Sequence, residues 1–293
     1  MRLINLFISL FFVLPMSFAQ QHLPAYQLFD KEGKPADFEN MLSTLNEADV
    51  VLFGELHNNP ICHWLQLQVT KKLHEQKGEN LVLAAEMFEA DDQIIIDEFF
   101  AGKIKESHLE NEAKIWNNYA TDYRPLLLFA KENKLTFVAS NIPRRYASLV
   151  SREGLDALKD LEKEAKNWIA PLPIEVDLEL PGYKNMLAMM GAHGGGDNSK
   201  ANNFAYAQAV KDATMAYFIL ENLKKDQQVL HYNGAYHSNN FEGIYWYLKQ
   251  KKSKLKIVTI SSVEEGDVSG LDEKNIGLAD FVIAIPSDMT KTY

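Results

Sequence analysis

The sequence predicts an α/β fold: a largely parallel sheet flanked by helices, with a smaller helical lobe inserted. Three observations carry this. Six short apolar runs recur along the chain, and most are rich in β-branched residues. Near-continuous apolar strands belong to sheets covered on both faces. Longer stretches with helical spacing separate most of them, and such alternation packs as helices on a parallel sheet. Between about residues 145 and 225 the rhythm stops and no strand pattern appears.

Taken in order, residues 1–19 read as an export signal. Met1 and Arg2 give a positive start, "LFISLFFVL" (6–14) an apolar centre, and "SFA" (17–19) the small residues of a cleavage site. That apolar run is too short to span a bilayer comfortably. The expected address after cleavage is periplasmic or secreted. The predicted strands are "VVLFG" (50–54), "LVLAAE" (81–86), "TFVAS" (136–140), "QVLHYN" (228–233), "KIVTIS" (256–261) and "FVIAI" (281–285). Helical spacing covers 60–77, 122–134, 200–225 and 239–251. The α/β core then spans about 20–144 and 226–293, and the helical lobe about 145–225. Within the lobe, "APLPIEVDLELPGY" is a proline-rich turn and a long helix closes the segment.

Composition narrows the function classes. A net charge of −10 argues against nucleic acid as a partner, since phosphate binding needs a basic face. With Cys62 the only cysteine, no internal disulfide and no four-cysteine metal site can form. Cys62 is not placed to carry a lipid at the end of the signal. No HExxH helix, no G-x-S-x-G elbow and no phosphate-binding loop occurs; "GGG" (194–196) lacks a lysine and a preceding strand.

The informative residues sit where strands end. The first run closes on Gly54, Glu55 and His57, and the second on Glu86, with Glu89 just after. The third closes on Asn141, followed by Arg144 and Arg145; the fourth on Asn233, Gly234 and His237. In a parallel sheet these ends share one edge, and ligands bind in the crevice outside it. Each residue also has a structural role open to it. Glu55 suits the N-terminus of the helix near Pro60. Glu86, buried at a strand end, needs a donor or a cation, and Arg144 is the expected partner. "GELH" (54–57) and "GAYH" (234–237) are both Gly-x-x-His directly after a strand. Glycine there permits close backbone approach. "WNNYATDY" adds Trp116, Tyr119 and Tyr123, which can form part of the pocket wall or pack the helix at 122–134 onto the sheet, the second being the expected role.

"GELHNNP", "AAEMFE", "SNIPRR", "KDATMA" (211–216) and "NGAYH", in this order, resemble the ChaN group of haem-binding uptake proteins. That group shares a superfamily with Tiki/TraB-type proteases and erythromycin esterases. The resemblance runs from about residue 40 to 285. It implies an α/β core with a helical lobe, and haem held at a dimer interface with tyrosine on the iron. An outer-membrane haem receptor is the partner such uptake implies. Lipid anchoring, found in some relatives, does not carry over, because the signal ends without a cysteine. The Tiki branch implies instead metal-dependent hydrolysis through two Gly-x-x-His motifs and a glutamate. Here these are His57 and His237 with Glu55 or Glu86, and a divalent ion such as zinc.

Haem needs an axial ligand, an apolar slot and partners for its propionates. On the lobe, Tyr183 and Tyr206 are the ligand candidates, with His193 as an alternative contact. Met186 and Met190 offer adaptable apolar packing, and Arg144 a bidentate partner for a propionate. Glu86, Asn141, Gly54 and Gly234 are expected to line the pocket. On the hydrolase reading, two histidines and Glu55 hold the metal and a second carboxylate serves as base.

Overall fold

The computed structural model describes the backbone of residues 23–193 and 198–293, and the side chains of 23–189 and 200–293. The export signal predicted at 1–19 therefore lies outside the described residues, as do the side chains of Met190 and His193. Among the described residues no helix is long and apolar enough to cross a membrane.

The six expected strands all form. They are β3 (Val50–Glu55), β4 (Leu81–Glu89), β5 (Thr136–Asn141), β6 (Gln228–Gly234), β7 (Ile257–Glu265) and β8 (Phe281–Pro286). Two short strands join them, β1 (Gln27–Asp30) and β2 (Pro35–Ala36). The sheet order is β2-β1-β8-β7-β3-β6-β4-β5. Strands β3 to β8 pair in parallel, and β1 adds antiparallel partners on the β8 edge. From β3 the chain moves to one side for β4 and the outer β5, returns with β6 between β3 and β4, then crosses to the other side for β7 and β8. The order thus switches at β3, where a crevice opens at the carboxyl ends.

Both faces of the sheet are covered, which is why the strands read as unbroken apolar runs. Val51, Phe53, Leu83, Ala85 and Tyr232 face α1 (Phe38–Asn46), α2 (Pro60–Lys77), α3 (Gln93–Phe100) and α5 (Arg124–Glu132). Val50, Leu52, Val82, Ala84 and Val229 face α8 (Asn198–Asn222) and α9 (Ile244–Lys251). A short α4 (Glu106–Glu112) precedes α5.

The interval from 145 to 225 is helical among the described residues: α6 (Arg144–Glu153), α7 (Pro181–His193) and α8. Helix α8 belongs to lobe and core alike. Its Ala207 and Val210 pack with Ala147 and Val150 of α6, while Ala213, Met215, Ala216 and Ile219 pack on the sheet.

Candidate functional site

The site lies at the carboxyl ends of β3, β6 and β4. Glu55 at the end of β3 pairs in register with Gly234 at the end of β6. Between Ala85 and Glu89 the β4–β5 register shifts, and Glu86 lies in that irregular stretch. A bulge of this kind re-aims a side chain. The Glu86 carboxylate accepts from the Gly234 backbone N–H at 2.7 Å.

The two Gly-x-x-His turns are packed into one another. A Cβ on Gly54 would sit 2.9 Å from the Ala235 Cα and 2.9 Å from the Ile260 carbonyl oxygen. A Cβ on Gly234 would sit 2.8 Å from the His57 ring. Each glycine therefore makes room for the other motif.

The histidines end in different surroundings. His57 Nδ1 donates to Glu55 Oε1 at 2.8 Å. The same oxygen accepts from the Tyr123 hydroxyl at 2.7 Å, and Gln66 Nε2 donates to the other carboxylate oxygen. Burial disfavours charge on His57, but the hydrogen bond and the Glu55 charge outweigh it and raise its pKa. Its Nε2 has no hydrogen-bond partner among the described residues, and its side chain is 37% exposed. His237, in contrast, is enclosed. Its Nδ1 lies 2.6 Å from Asp212 Oδ1 and its Nε2 3.2 Å from Glu86 Oε1. Burial works against its charge, yet the two carboxylates push its pKa up to about 10. Glu86 is fully buried too, and the His237 charge overrides that penalty and holds it well below the usual carboxylate range. Asp212 also accepts from the Tyr183 hydroxyl at 2.7 Å. A buried chain thus runs from Tyr183 through Asp212 and His237 to Glu86.

Several expectations are corrected here. Glu55 does not cap α2; Asn59 does, accepting from the Ile61 and Cys62 backbone N–H groups. Arg144 does not pair with Glu86. Its Nε donates to Glu89 at 2.6 Å, because α6 carries it to the bulged end of β4. Tyr183 is 4% exposed, and burial beside Asp212 pushes its pKa far up. Tyr206 packs between α6 and α8 in the lobe core. Neither tyrosine lines a cleft at the strand ends. The zinc set is not assembled either. Both His237 nitrogens face carboxylates, both Glu55 oxygens are taken, and no cluster of three or more metal-binding side chains occurs among the described residues. Trp116 and Tyr123 do more than pack a helix: Trp116 meets the His57 ring edge-on at 4.8 Å, and Tyr123 holds Glu55.

Two open clefts adjoin at this point, sharing His57, Gln208 and His237 as walls. One, of about 560 Å³, is polar and is lined by Glu86, Trp116, Asn141, Arg144, Lys211 and Tyr293 among others. The other, of about 490 Å³, is lined by Leu56, Met186, Met189, Gly234, Ala235 and Tyr236. Sequence reasoning missed Asp212 and Tyr236. Both sat inside motifs already noted, "KDATMA" and "GAYH", and the available signal for the first was that Asp212 is the one acid in the run 201–219.

An α/β sheet with this strand-end histidine pair defines a class, and comparison supplies the family. The chain belongs to the family described as haem-binding uptake, Tiki superfamily, ChaN, whose model matches residues 41–248. The fold is similar to ChaN of Campylobacter jejuni, in a structure titled for its cofacial haem binding. The TM-score is 0.66 at 20% identity, covering 89% of this chain and 97% of that one. A Bacillus cereus protein (TM-score 0.47, 12% identity, 85% and 90% covered) and an erythromycin esterase EreC mutant (0.46, 12%, 82% and 77%) are more distant. Among curated proteins none matches.

Proposed function

We propose that this chain is an exported haem-uptake protein that holds ferric haem through a tyrosine at the strand-end clefts. Membership of a haem-binding family supports the ligand. The observation that carries the site is the cleft formed by Leu56, Met186, Met189 and Tyr236, an apolar face with a phenol beside it. Met189 is 70% exposed and Tyr236 50% exposed, so this face is open to a large ligand. Thioethers adapt to flat apolar surfaces. Arg144 and Lys211 line the adjoining cleft and offer cations for carboxylates. The residues present therefore fit haem. Haem would be cargo here, supplying iron for transfer; the chain's own part is to shelter the ring, neutralise its carboxylates and present a ligand.

The signal read at 1–19 supports export to the periplasm or beyond, and with it handover from an outer-membrane haem receptor. The uncovered methionine face is where a second copy would dock, since exposed apolar patches mark interaction sites.

The test is a haemin titration of the purified chain, stripped of metal and followed by absorbance and by mass in solution. Saturable growth of a Soret band with charge-transfer bands of a tyrosine-ligated ferric haem is the expected result. A linear, non-saturating response overturns the reading. One observation favours a second role at the same edge. His57, oriented by Glu55 with Nε2 free, has the arrangement of a general base. Under that reading the chain is a hydrolase, and an ester and peptide screen with His57→Ala as control decides it.

A further inference from the structure

We infer that Gln93 guards the open edge of the sheet, closing β5 against pairing with a second copy of this chain. The inference does not rest on the haem reading. The two edges of the sheet differ. One ends in β2, which is two residues long and begins with Pro35, a residue without an N–H to offer. The other ends in β5, six residues long and paired with β4 alone. A strand of that length presents a row of backbone groups to any incoming strand. Such edges are commonly blunted by lysine or proline. The β5 sequence, TFVASN, contains neither.

Gln93, the first residue of α3, supplies the missing partner. Its Nε2 donates to the Phe137 carbonyl at 3.0 Å, and its Oε1 accepts from the Ala139 backbone N–H at 2.7 Å. In a parallel ladder one residue bonds its neighbouring strand in this way, giving to one carbonyl and taking from the amide two residues on. One side-chain amide thus stands in for one residue of a further strand. Its orientation is fixed, because the reverse would set donor against donor and acceptor against acceptor. The other hydrogen on Nε2 goes to Asp97 Oδ1 at 2.9 Å, one turn along α3, so the amide is held on both sides.

The space beside this edge, about 410 Å³, is walled by Phe100 of α3 and Phe218 of α8. Among its described lining residues Asp97 alone is charged. Charge therefore does not defend the edge; hydrogen bonding through Gln93 does. A second copy suits the edge by symmetry. In an antiparallel pair centred on Val138, Phe137 of each copy would face Ala139 of the other. These are the two residues whose backbone groups Gln93 holds. Helices cover both faces of the sheet, so each copy would bring its own cover to the join. With β5 closed, self-association is left to other surfaces, the exposed Met189 face among them.

The experiment compares the purified chain with Gln93→Ala and Gln93→Asn, by sedimentation and by amide hydrogen exchange over a range of concentrations. Both variants lose the bridge, asparagine because it is one methylene short. In dilute solution the Ala139 amide should exchange about 2–10-fold faster than in the wild type, the loss of one hydrogen bond. As concentration rises, both variants should gain an association step that the wild type lacks. The Phe137 and Ala139 amides should become protected along with it. Adding Thr136→Lys, at the exposed start of β5, should abolish that step by placing a charge on the edge. Gln93 is half-buried at a helix start, so circular dichroism should show every variant folded. If both variants keep the wild-type mass at every concentration, the edge is closed without Gln93 and the inference falls. It falls too if they associate and Thr136→Lys makes no difference, because the contact then lies elsewhere.

Discussion

The two Gly-x-x-His turns share a pattern and differ in what they do with the histidine. At 54–57 the ring is tethered through one nitrogen and presents the other to the cleft; at 234–237 both nitrogens are bound to buried carboxylates. The carboxylates differ in the same sense. Glu55 has three donors, from His57, Tyr123 and Gln66, and stays satisfied when any one leaves. Glu86 relies on the Gly234 N–H and the His237 charge. The first turn therefore presents an open ring nitrogen and the second supplies a frame. In that frame the exposed member is Tyr236, the residue between.

Breaking the second turn should have the largest effect. Glu86→Ala leaves a charged, enclosed histidine with Asp212 as its remaining carboxylate partner. Removing one partner of a buried pair costs about 3–5 kcal/mol, and the surviving Asp212 places this case near the lower bound. Urea unfolding gives the number, and a loss under 1 kcal/mol would show that the pair is not the frame described here. The pH profile sharpens the point. His237 holds its proton more tightly folded than unfolded, with a pKa of about 10 against an ordinary 6.5. Its contribution is complete below pH 6.5 and disappears as pH rises towards 10. Glu86 runs the other way: its contribution is present above its ordinary 4.5 and is lost as pH falls through its depressed folded value. Stability from this pair should therefore be greatest between 4.5 and 6.5, and the alkaline decline should flatten in Glu86→Gln. An unchanged alkaline slope in that variant would place the titration elsewhere.

The interlock of the turns comes next. Gly234→Ala puts a methyl 2.8 Å from the His57 ring, with Glu86 Oε2 at 3.6 Å behind it. Overpacking of this kind costs about 1–3 kcal/mol. The ring is the movable party, so His57 should shift, and its proton resonances should report the change before the unfolding midpoint does. Wild-type His57 shifts in a folded Gly234→Ala chain would mean that the turns are not interlocked.

Much of this frame was legible in the sequence. Strands buried on both faces leave unbroken apolar runs, and β3 and β6 were found within a residue of their ends for that reason. The start of α2 near Pro60 was legible but its cap was misassigned: Asn59, directly before the N1 proline, caps it where Glu55 was expected. The antiparallel edge was not legible. In β1 only Leu28 and Phe29 are apolar, and β2 has two residues. The site divided along the same line. Which residues reach the strand ends follows from chain order, and His57, His237, Glu55 and Glu86 do meet there. Which way a side chain turns on a helix is fixed by packing. Tyr183 and Tyr206 turned into the lobe, while Tyr236, one residue before a noted histidine, faces the cleft.

The smallest effect should come from the first turn, and it is the most useful. His57→Ala removes a ring that is 37% exposed and leaves Glu55 with Tyr123 and Gln66 as donors. No buried group is orphaned, so the loss should be about 1 kcal/mol or less. This is well below that of Glu86→Ala, although the two positions flank the same edge. A stable His57→Ala chain separates frame from function at that edge. If haem affinity falls in it while the unfolding midpoint holds, the free Nε2 works on the ligand side of the cleft. If hydrolysis disappears instead, the same atom is the base. A drop in stability as large as that of Glu86→Ala would mean that the two turns are equally structural, and the contrast drawn between them would be gone.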